Sequence, residues 1–83
     1  MSQSAAVKTV FFFGEEIVIP DHHDYVACDT NGAVFSYFYR PEFSRDGGYW
    51  LSSDPDDLPQ FIMKFGHVDT DKAQRMMENY HVS

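Results

Sequence analysis

Thirteen acidic and six basic residues give the 83-residue chain a formal net charge of −7 and a pI of about 4.7. Contact with nucleic-acid phosphates needs clustered Lys and Arg, and the six basic residues are scattered, so the composition argues against direct nucleic-acid binding. The acidity fits a basic protein partner or an imitation of DNA, and it also fits a small domain that charge keeps in solution.

The length predicts one domain with a modest core. Residues 1–6 are small and polar and predict a flexible N-terminus, which leaves residues 7–83 as a single domain. Eight Phe, five Tyr and one Trp supply large apolar side chains. They fit either a well-filled core or an exposed patch, and an exposed patch would suggest a homodimer or a protein partner.

The domain is predicted to begin with a β-hairpin. Residues 7–13 are rich in β-branched and aromatic side chains, which favours a strand. A type II′ turn at 14–15 (Gly-Glu) then leads into a return strand over 16–19 and places Ile17 opposite Phe12. Both faces of this hairpin are apolar, so we expect other elements to cover it on two sides.

Residues 25–37 predict a second hairpin, which turns at 29–32 (Asp-Thr-Asn-Gly). Asp suits the first position of a type I turn, and Gly takes the left-handed conformation at the fourth. The alternative, a two-residue turn at 31–32, slips the register by one residue. We favour the type I turn with a glycine bulge because it uses all four residues. It pairs Asp29 with Ala33, Ala27 with Phe35 and Tyr25 with Tyr37.

Strands and turns alternate after this hairpin. Pro41 removes a backbone donor, so the return strand should end just before it. Residues 60–68 fit a strand by period two and a short helix by period 3.6, with a slight preference for the strand. The preceding segments are a return strand over 33–39, a loop over 42–48, a strand over 49–52 and a turn-rich segment over 53–59.

The last segment predicts an amphipathic helix over 70–80, with Asp69 or Thr70 as its N-cap. Its apolar side chains recur at helical spacing: Ala73, Met76, Met77 and Tyr80. The stripe could bind a groove on a partner, but covering its own core suits so small a domain better. The expected fold is α+β, a twisted antiparallel sheet of four to five strands, two hairpins plus a further strand, packed by this helix.

Histidines and carboxylates are the first candidates for chemistry. Neighbouring residues of an extended chain face opposite ways, and no paired-ligand spacing occurs, so solvated histidines are the simpler interpretation. Asp54, Asp56 and Asp57 form the densest acidic group, in a turn that Pro55 and Pro59 predict to be solvated, and they are a candidate acidic surface. The weak candidates for metal ligands are His22, His23 and His67.

The single cysteine and the absence of long apolar runs limit the expected location and chemistry of the protein. The single Cys28 excludes an internal disulfide, and its place in a predicted strand suits a small buried side chain better than a nucleophile. The sequence shows no membrane-spanning run and no signal-peptide pattern, so we expect a cytoplasmic protein that does not contact membranes. We predict no enzymatic activity and no cofactor.

Aromatic residues around the 42–48 loop are the first choice for a contact surface. Rigid aromatic side chains beside a glycine-containing loop suit recognition of a protein partner, although core packing explains aromatic residues equally well. The candidate partner-binding residues are Tyr39, Arg40, Phe43, Tyr49 and Trp50.

The middle of the chain resembles small phage and prophage proteins of unknown function. The residues that carry the likeness are Ile19-Pro20, Tyr25-Val26-Ala27, Asp29, Asn31-Gly32, Val34, Tyr37, Pro41 and Gly48-Tyr49-Trp50. The paired histidines and the C-terminal segment lie outside the pattern. The resemblance carries no assigned activity, but we expect a phage-type accessory protein this small, acidic and aromatic to bind a host protein, for instance to inhibit a defence system or redirect a host enzyme. A metal-dependent small enzyme that uses the His and Asp residues, or an acidic DNA mimic, are the alternatives.

Overall fold

The computed structural model describes residues 6–81, which form antiparallel sheets and one short helix. The elements are β1 (Val7–Phe12), β2 (Glu15–Pro20), β3 (Tyr25–Cys28), β4 (Ala33–Tyr37), β5 (Glu42–Ser44), β6 (Tyr49–Leu51), β7 (Gln60–Lys64), α1 (Thr70–Arg75) and β8 (Met77–Asn79). A four-stranded sheet has the order β7-β4-β3-β8, and two separate hairpins are β1-β2 and β5-β6. The predicted α+β class is therefore confirmed.

The hairpin of β3 and β4 has the predicted turn and register. Tyr25 pairs with Tyr37 and Ala27 with Phe35. The Gly32 N–H donates to the Asp29 carbonyl at 2.8 Å, and Gly32 has a φ of +90°, as the bulged type I turn requires. A Cβ at this glycine would overlap the backbone of Phe65, so the close approach of the two chain segments needs glycine as much as the turn does.

The turn of the first hairpin differs from the prediction. Phe13 and Gly14 occupy it, both with positive φ, and Phe12 pairs with Glu15. Both this turn and the predicted Gly-Glu turn match the right-handed twist of the flanking strands, and the observed turn places the Phe13 ring edge-on to Phe12, with centroids 4.8 Å apart. The pairs shift by two residues, so Val10 rather than Phe12 lies opposite Ile17. An even shift keeps every side chain on its predicted face.

The central sheet is covered on both faces. On one face the inner side of the β1-β2 hairpin packs with the sheet in one apolar core, which consists of Phe12, Ile17, Ile19, Val26, Cys28, Val34 and Met76. The opposite face, which carries Phe35 and Tyr37, borders the β5-β6 hairpin, where Tyr49 and Trp50 share a shallow hollow with these two residues.

The predicted loop over 42–48 is wrong in its first half, because Glu42–Ser44 forms β5 and pairs with β6. Strand β4 also ends at Tyr37, two residues before the predicted end. The early end of β4 has a physical cause. The backbone N–H groups of Phe38 and Tyr39 donate to the Asp57 carboxylate instead of continuing a sheet, and the chain then turns into β5. The turn-rich segment over 53–59 and the strand within 60–68 are confirmed.

The predicted helix over 70–80 is correct only to Arg75. Asp69 is its N-cap and accepts from the Lys72 N–H at 2.8 Å, but Met76 leaves the helical conformation and β8 follows. Strand β8 pairs with β3, whose residues are mostly buried. A buried strand edge without partners would leave N–H and C=O groups unsatisfied, so this pairing outweighs the local helical pattern.

The two ends of the described segment lie near β1 and the loop after β2. The predicted flexible N-terminus over 1–6 lies outside the described residues except for Ala6, whose carbonyl accepts from the Asp21 N–H at 2.9 Å. Near the other end, the Tyr80 hydroxyl donates to the Phe11 carbonyl. Within residues 6–81 the helix is far too short to cross a membrane.

Candidate functional site

A hollow of about 350 Å³ opens where three connecting segments meet. The segment after β2 contributes two histidines, the segment after β4 two aromatic residues, and the 53–59 turn the rest. We call it the His22–Leu58 hollow, and its walls are formed by His22, His23, Phe38, Tyr39, Asp54, Asp56, Asp57 and Leu58. Its size lies within the range of small-molecule sites in proteins.

Asp57 is the residue that joins two of these segments. Its two carboxylate oxygens accept from the backbone N–H groups of Phe38 at 3.1 Å and Tyr39 at 2.9 Å, and its own carbonyl accepts from the Ser52 hydroxyl. Asp57 is buried, so the prediction of a solvated turn is wrong for this residue. It holds the aromatic pair in place because backbone donors beyond the end of β4 have no sheet partner.

His23 closes the inner end of the hollow. The side chain is 4% exposed, and its Nδ1 lies 2.7 Å from the Ser36 hydroxyl oxygen. Burial lowers the pKa of His23, and neighbouring His22 adds to this, while Asp57 and Asp24 oppose it. The ring is therefore held neutral at neutral pH. Ser36 itself is fully buried, which rules it out as an accessible nucleophile.

An aromatic row forms one wall. The ring centroids of His22 and His23 lie 4.5 Å apart, those of His22 and Phe38 5.9 Å, and those of Phe38 and Tyr39 4.7 Å. Leu58 borders the opening and is 79% exposed. The hollow thus combines aromatic and aliphatic surface with carboxylates, which suits a ligand with an apolar part and a positive charge.

The predicted contact residues fall in two different places. Tyr39 lies at the hollow, whereas Phe43, Tyr49 and Trp50 belong to the β5-β6 hairpin. Trp50 is half-buried and serves as an anchor. Its backbone N–H donates to Asp29 at 2.8 Å, and its indole N–H donates to the carbonyls of Cys28 at 3.0 Å and Ala73 at 3.2 Å.

The other members of that predicted surface are more open. The ring of Tyr49 lies over Gly47, where a Cβ would overlap it, and its outer side is exposed. The Phe43 ring packs on Trp50 with centroids 5.1 Å apart, and Arg40 is exposed. The largest aromatic side chain of the hairpin, Trp50, thus makes internal contacts. Within the predicted surface, the exposed residues are Tyr39, Arg40 and Tyr49.

The candidate metal ligands do not converge. His22 and His23 line the hollow, whereas His67 borders separate depressions near Gly48 and Val68. Within residues 6–81 no group of three or more His, Cys, Asp or Glu side chains has an arrangement that could hold a metal ion. Burial raises the pKa of the Cys28 thiol to about 11, with the Asp29 charge adding to the effect. This thiol is protonated at neutral pH and is a poor nucleophile.

Two residues of the hollow differ from the sequence prediction. The sequence predicts Phe38 inside a strand and Leu58 in a solvated turn, whereas both line the hollow. A lone leucine among aspartates and prolines was a usable signal, because an apolar side chain in a polar turn often packs on a neighbouring surface. The role of Ser36 had no local signal, since its partner His23 is on another segment.

A second surface lies on the outer face of the β1-β2 hairpin. Val7, Phe11 and Val18 are 58%, 66% and 54% exposed, and Phe13 at the turn is half-exposed. A groove of about 270 Å³ continues this face toward β7, where Phe61 is also exposed. Large exposed apolar side chains on one strand face are typical of contact sites.

Comparisons with protein-family models, with curated proteins and with solved structures gave no match to this chain.

Proposed function

We propose that the protein is a non-enzymatic binding protein that acts by contact with another protein in the cytoplasm. The observation that carries this proposal is the outer face of the β1-β2 hairpin, where Val7, Phe11 and Val18 stay exposed although the inner face of the same hairpin is buried. Burial of these side chains against a partner would stabilise the complex by about 25 cal/mol for each Å² of apolar surface that is removed from water.

The resemblance to small phage proteins supports a narrower form of the proposal. In that form the partner is a host protein, for instance a component of a defence system, and the present protein inhibits or redirects that partner. The net charge of −7 supports a partner with a basic rim around an apolar centre, because complementary charges speed the encounter. A second copy of this chain is the competing occupant of the same face.

The acidic residues support a DNA mimic less well. Three carboxylates are engaged in partly buried contacts within the molecule: Asp24 with Lys8, Asp29 with Trp50 and Asp57 with two backbone N–H groups. A mimic needs its carboxylates free and aligned at phosphate-like spacing. This use of the charges inside the fold favours the protein-binding role.

The experiment compares capture of proteins from a bacterial lysate by the wild type and two variants. Phe11→Ser removes the most exposed ring of the hairpin face, and Leu51→Ser, at an exposed apolar position of β6 away from the His22–Leu58 hollow, is the control. We expect a partner that the wild type and Leu51→Ser retain and Phe11→Ser loses. Equal capture by all three proteins would contradict the assigned surface.

Oligomeric state must be measured alongside capture. Analytical ultracentrifugation of the wild type should show a monomer, and Phe11→Ser should leave the sedimentation coefficient unchanged. A wild-type dimer that Phe11→Ser converts to a monomer, with no other protein captured, would assign the face to self-association and overturn the proposal of a foreign partner.

A further inference from the structure

The His22–Leu58 hollow carries uncompensated negative charge. Three of its wall residues are Asp54, Asp56 and Asp57, and no Lys or Arg lines it in the part of the chain that the structure describes. Asp57 is committed to two backbone N–H groups, and one oxygen of Asp54 accepts from the Asp56 N–H at 2.8 Å. Asp56 itself is exposed, so its carboxylate can meet a ligand.

The aromatic wall adds a second attraction for a cation. Phe38 and Tyr39 are both partly exposed, and their rings are 4.7 Å apart in an edge-to-face arrangement. The face of an aromatic ring carries partial negative charge and attracts cations within about 6 Å of its centre. Carboxylates and ring faces together therefore favour a positive group with flat or apolar surface over a fully hydrated ion.

His23 supplies an independent sign that a ligand belongs here. The side chain is almost completely buried, and Nδ1 contacts the Ser36 hydroxyl. Within residues 6–81, Nε2 makes no hydrogen bond, and no fully buried side-chain nitrogen or oxygen lacks a partner. Nε2 therefore keeps some accessible surface, and His23 is a wall residue of the hollow. In the tautomer that donates from Nδ1 to Ser36, Nε2 is a free acceptor.

From these observations we infer that the His22–Leu58 hollow binds a guanidinium group on an aliphatic stem. A guanidinium is planar, stacks on aromatic rings and offers several N–H donors to carboxylates and to an imidazole nitrogen. Leu58 at the opening and the ring of Phe38 provide apolar surface for the stem. A metal ion fits poorly, because within residues 6–81 no three His, Cys, Asp or Glu side chains are arranged so that they could hold one.

The first test is a titration of the ¹⁵N-labelled protein, followed by NMR, with N-acetyl-arginine amide. N-acetyl-citrulline amide, which has nearly the same shape but no charge, is the control ligand. We expect amide shifts at His22, Phe38 and Tyr39, with the arginine compound binding about tenfold or more tightly than citrulline, as charge-assisted hydrogen bonds imply. Equal affinities, or shifts confined to other parts of the protein, would overturn the inference.

Two variants with the same change of charge test the site. Asp56→Asn removes the exposed carboxylate at the hollow, and Asp46→Asn removes an exposed carboxylate in the turn between β5 and β6. We expect Asp56→Asn to weaken binding of N-acetyl-arginine amide by about three- to tenfold, and Asp46→Asn to have little effect. Equal weakening would mean that net charge alone attracts the ligand. Urea unfolding of both variants checks that the fold is unchanged.

The source of the guanidinium is resolved by a third titration. Tighter binding of a short peptide with a central arginine than of agmatine assigns the hollow to an arginine of a protein partner, and the reverse order assigns it to a small free guanidine. Failure of both ligands to bind overturns the inference. Phe11→Ser should bind these ligands like the wild type, so the result is independent of the proposed contact through the β1-β2 hairpin.

Discussion

The two hairpins that cover the central sheet are attached by different forces. The β1-β2 hairpin contributes Phe12, Ile17 and Ile19 to the apolar core. The β5-β6 hairpin is tied by hydrogen bonds, from Trp50 to Asp29, Cys28 and Ala73, and between Thr30 and Gly48. Apolar burial is proportional to area and has no direction, whereas a hydrogen bond requires a donor at one place.

This difference determines which hairpin has large apolar side chains free for contact with a partner. Inward side chains, the Lys8–Asp24 ion pair and the bond from Tyr80 to the Phe11 carbonyl hold the β1-β2 hairpin, and none of them uses the outward side chains of Phe11 and Val18. The β5-β6 hairpin uses the backbone and the ring of Trp50 for its own attachment. The sequence predicts a contact surface in and around the β5-β6 hairpin, and our proposal of a contact through the β1-β2 hairpin rests on its exposed outward side chains.

Phe12→Ala is the strongest way to break the apolar attachment. Phe12 is fully buried, so the substitution removes apolar area and leaves a cavity, and we expect a loss of about 3–5 kcal/mol in the free energy of unfolding. For a small domain that is a large share of a total of about 5–15 kcal/mol. Urea unfolding followed by circular dichroism measures it.

Phe11→Ala is the matched control, since it is the same substitution at the neighbouring residue on the opposite face. Phe11 is mostly exposed, and we expect a change of no more than about 0.5 kcal/mol. A similar loss for both variants would show that the outer face is also packed, and the distinction between the two faces of the hairpin would fail.

Local chemistry explains which parts of the fold could be predicted. The turn from Asp29 to Gly32 fixed its own register through residue types within four positions, and the predicted pairs are confirmed. In the first hairpin the faces were predicted correctly, but the pairs were not, because an even shift of register leaves the pattern of faces unchanged. The helix ends early because the residues after it pair with the edge of β3, and the sequence near the helix does not show this distant strand.

The candidate site was less predictable than the fold. Its walls come from three segments that are far apart in the sequence, and their meeting depends on the bonds from Asp57 to the backbone after β4. An aspartate in a turn between prolines resembles a solvated residue, because the sequence does not show which backbone donors lack partners. Of the three aspartates, Asp54 is half-exposed and Asp56 exposed, as predicted for a solvated turn.

Trp50→Phe tests the polar attachment with a smaller expected effect. The substitution keeps an aromatic ring but removes the indole N–H that donates to Cys28 and Ala73. Both carbonyls belong to buried residues, so we expect a loss of about 1–2 kcal/mol in the free energy of unfolding. Circular dichroism must follow the unfolding, because this variant has no tryptophan to report by fluorescence.

Tyr49→Phe, at the exposed neighbouring position, is the control for this change and should alter stability by no more than about 0.5 kcal/mol. If Trp50→Phe unfolds at the same urea concentration as the wild type, the indole bonds contribute nothing measurable, and the β5-β6 hairpin is held by packing like its counterpart.

A pH titration gives the smallest effect and tests a polar contact on the apolar side of the sheet. Burial lowers the pKa of His23 below its ordinary value of 6.5, so the unfolded chain takes up its proton at a higher pH than the folded chain does. Stability should be complete above pH 6.5 and fall as the pH drops from 6.5 toward the folded pKa. The fall should be small, because Asp57 and Asp24 partly stabilise the charged ring and offset the effects of burial, His22 and Lys8.

Urea midpoints between pH 5 and 8 measure this slope. The wild type should show it, His23→Gln should lose part of it, and His67→Gln, at an exposed position, should retain it. Identical slopes in all three proteins would mean that the His23–Ser36 contact does not distinguish the two protonation states of His23.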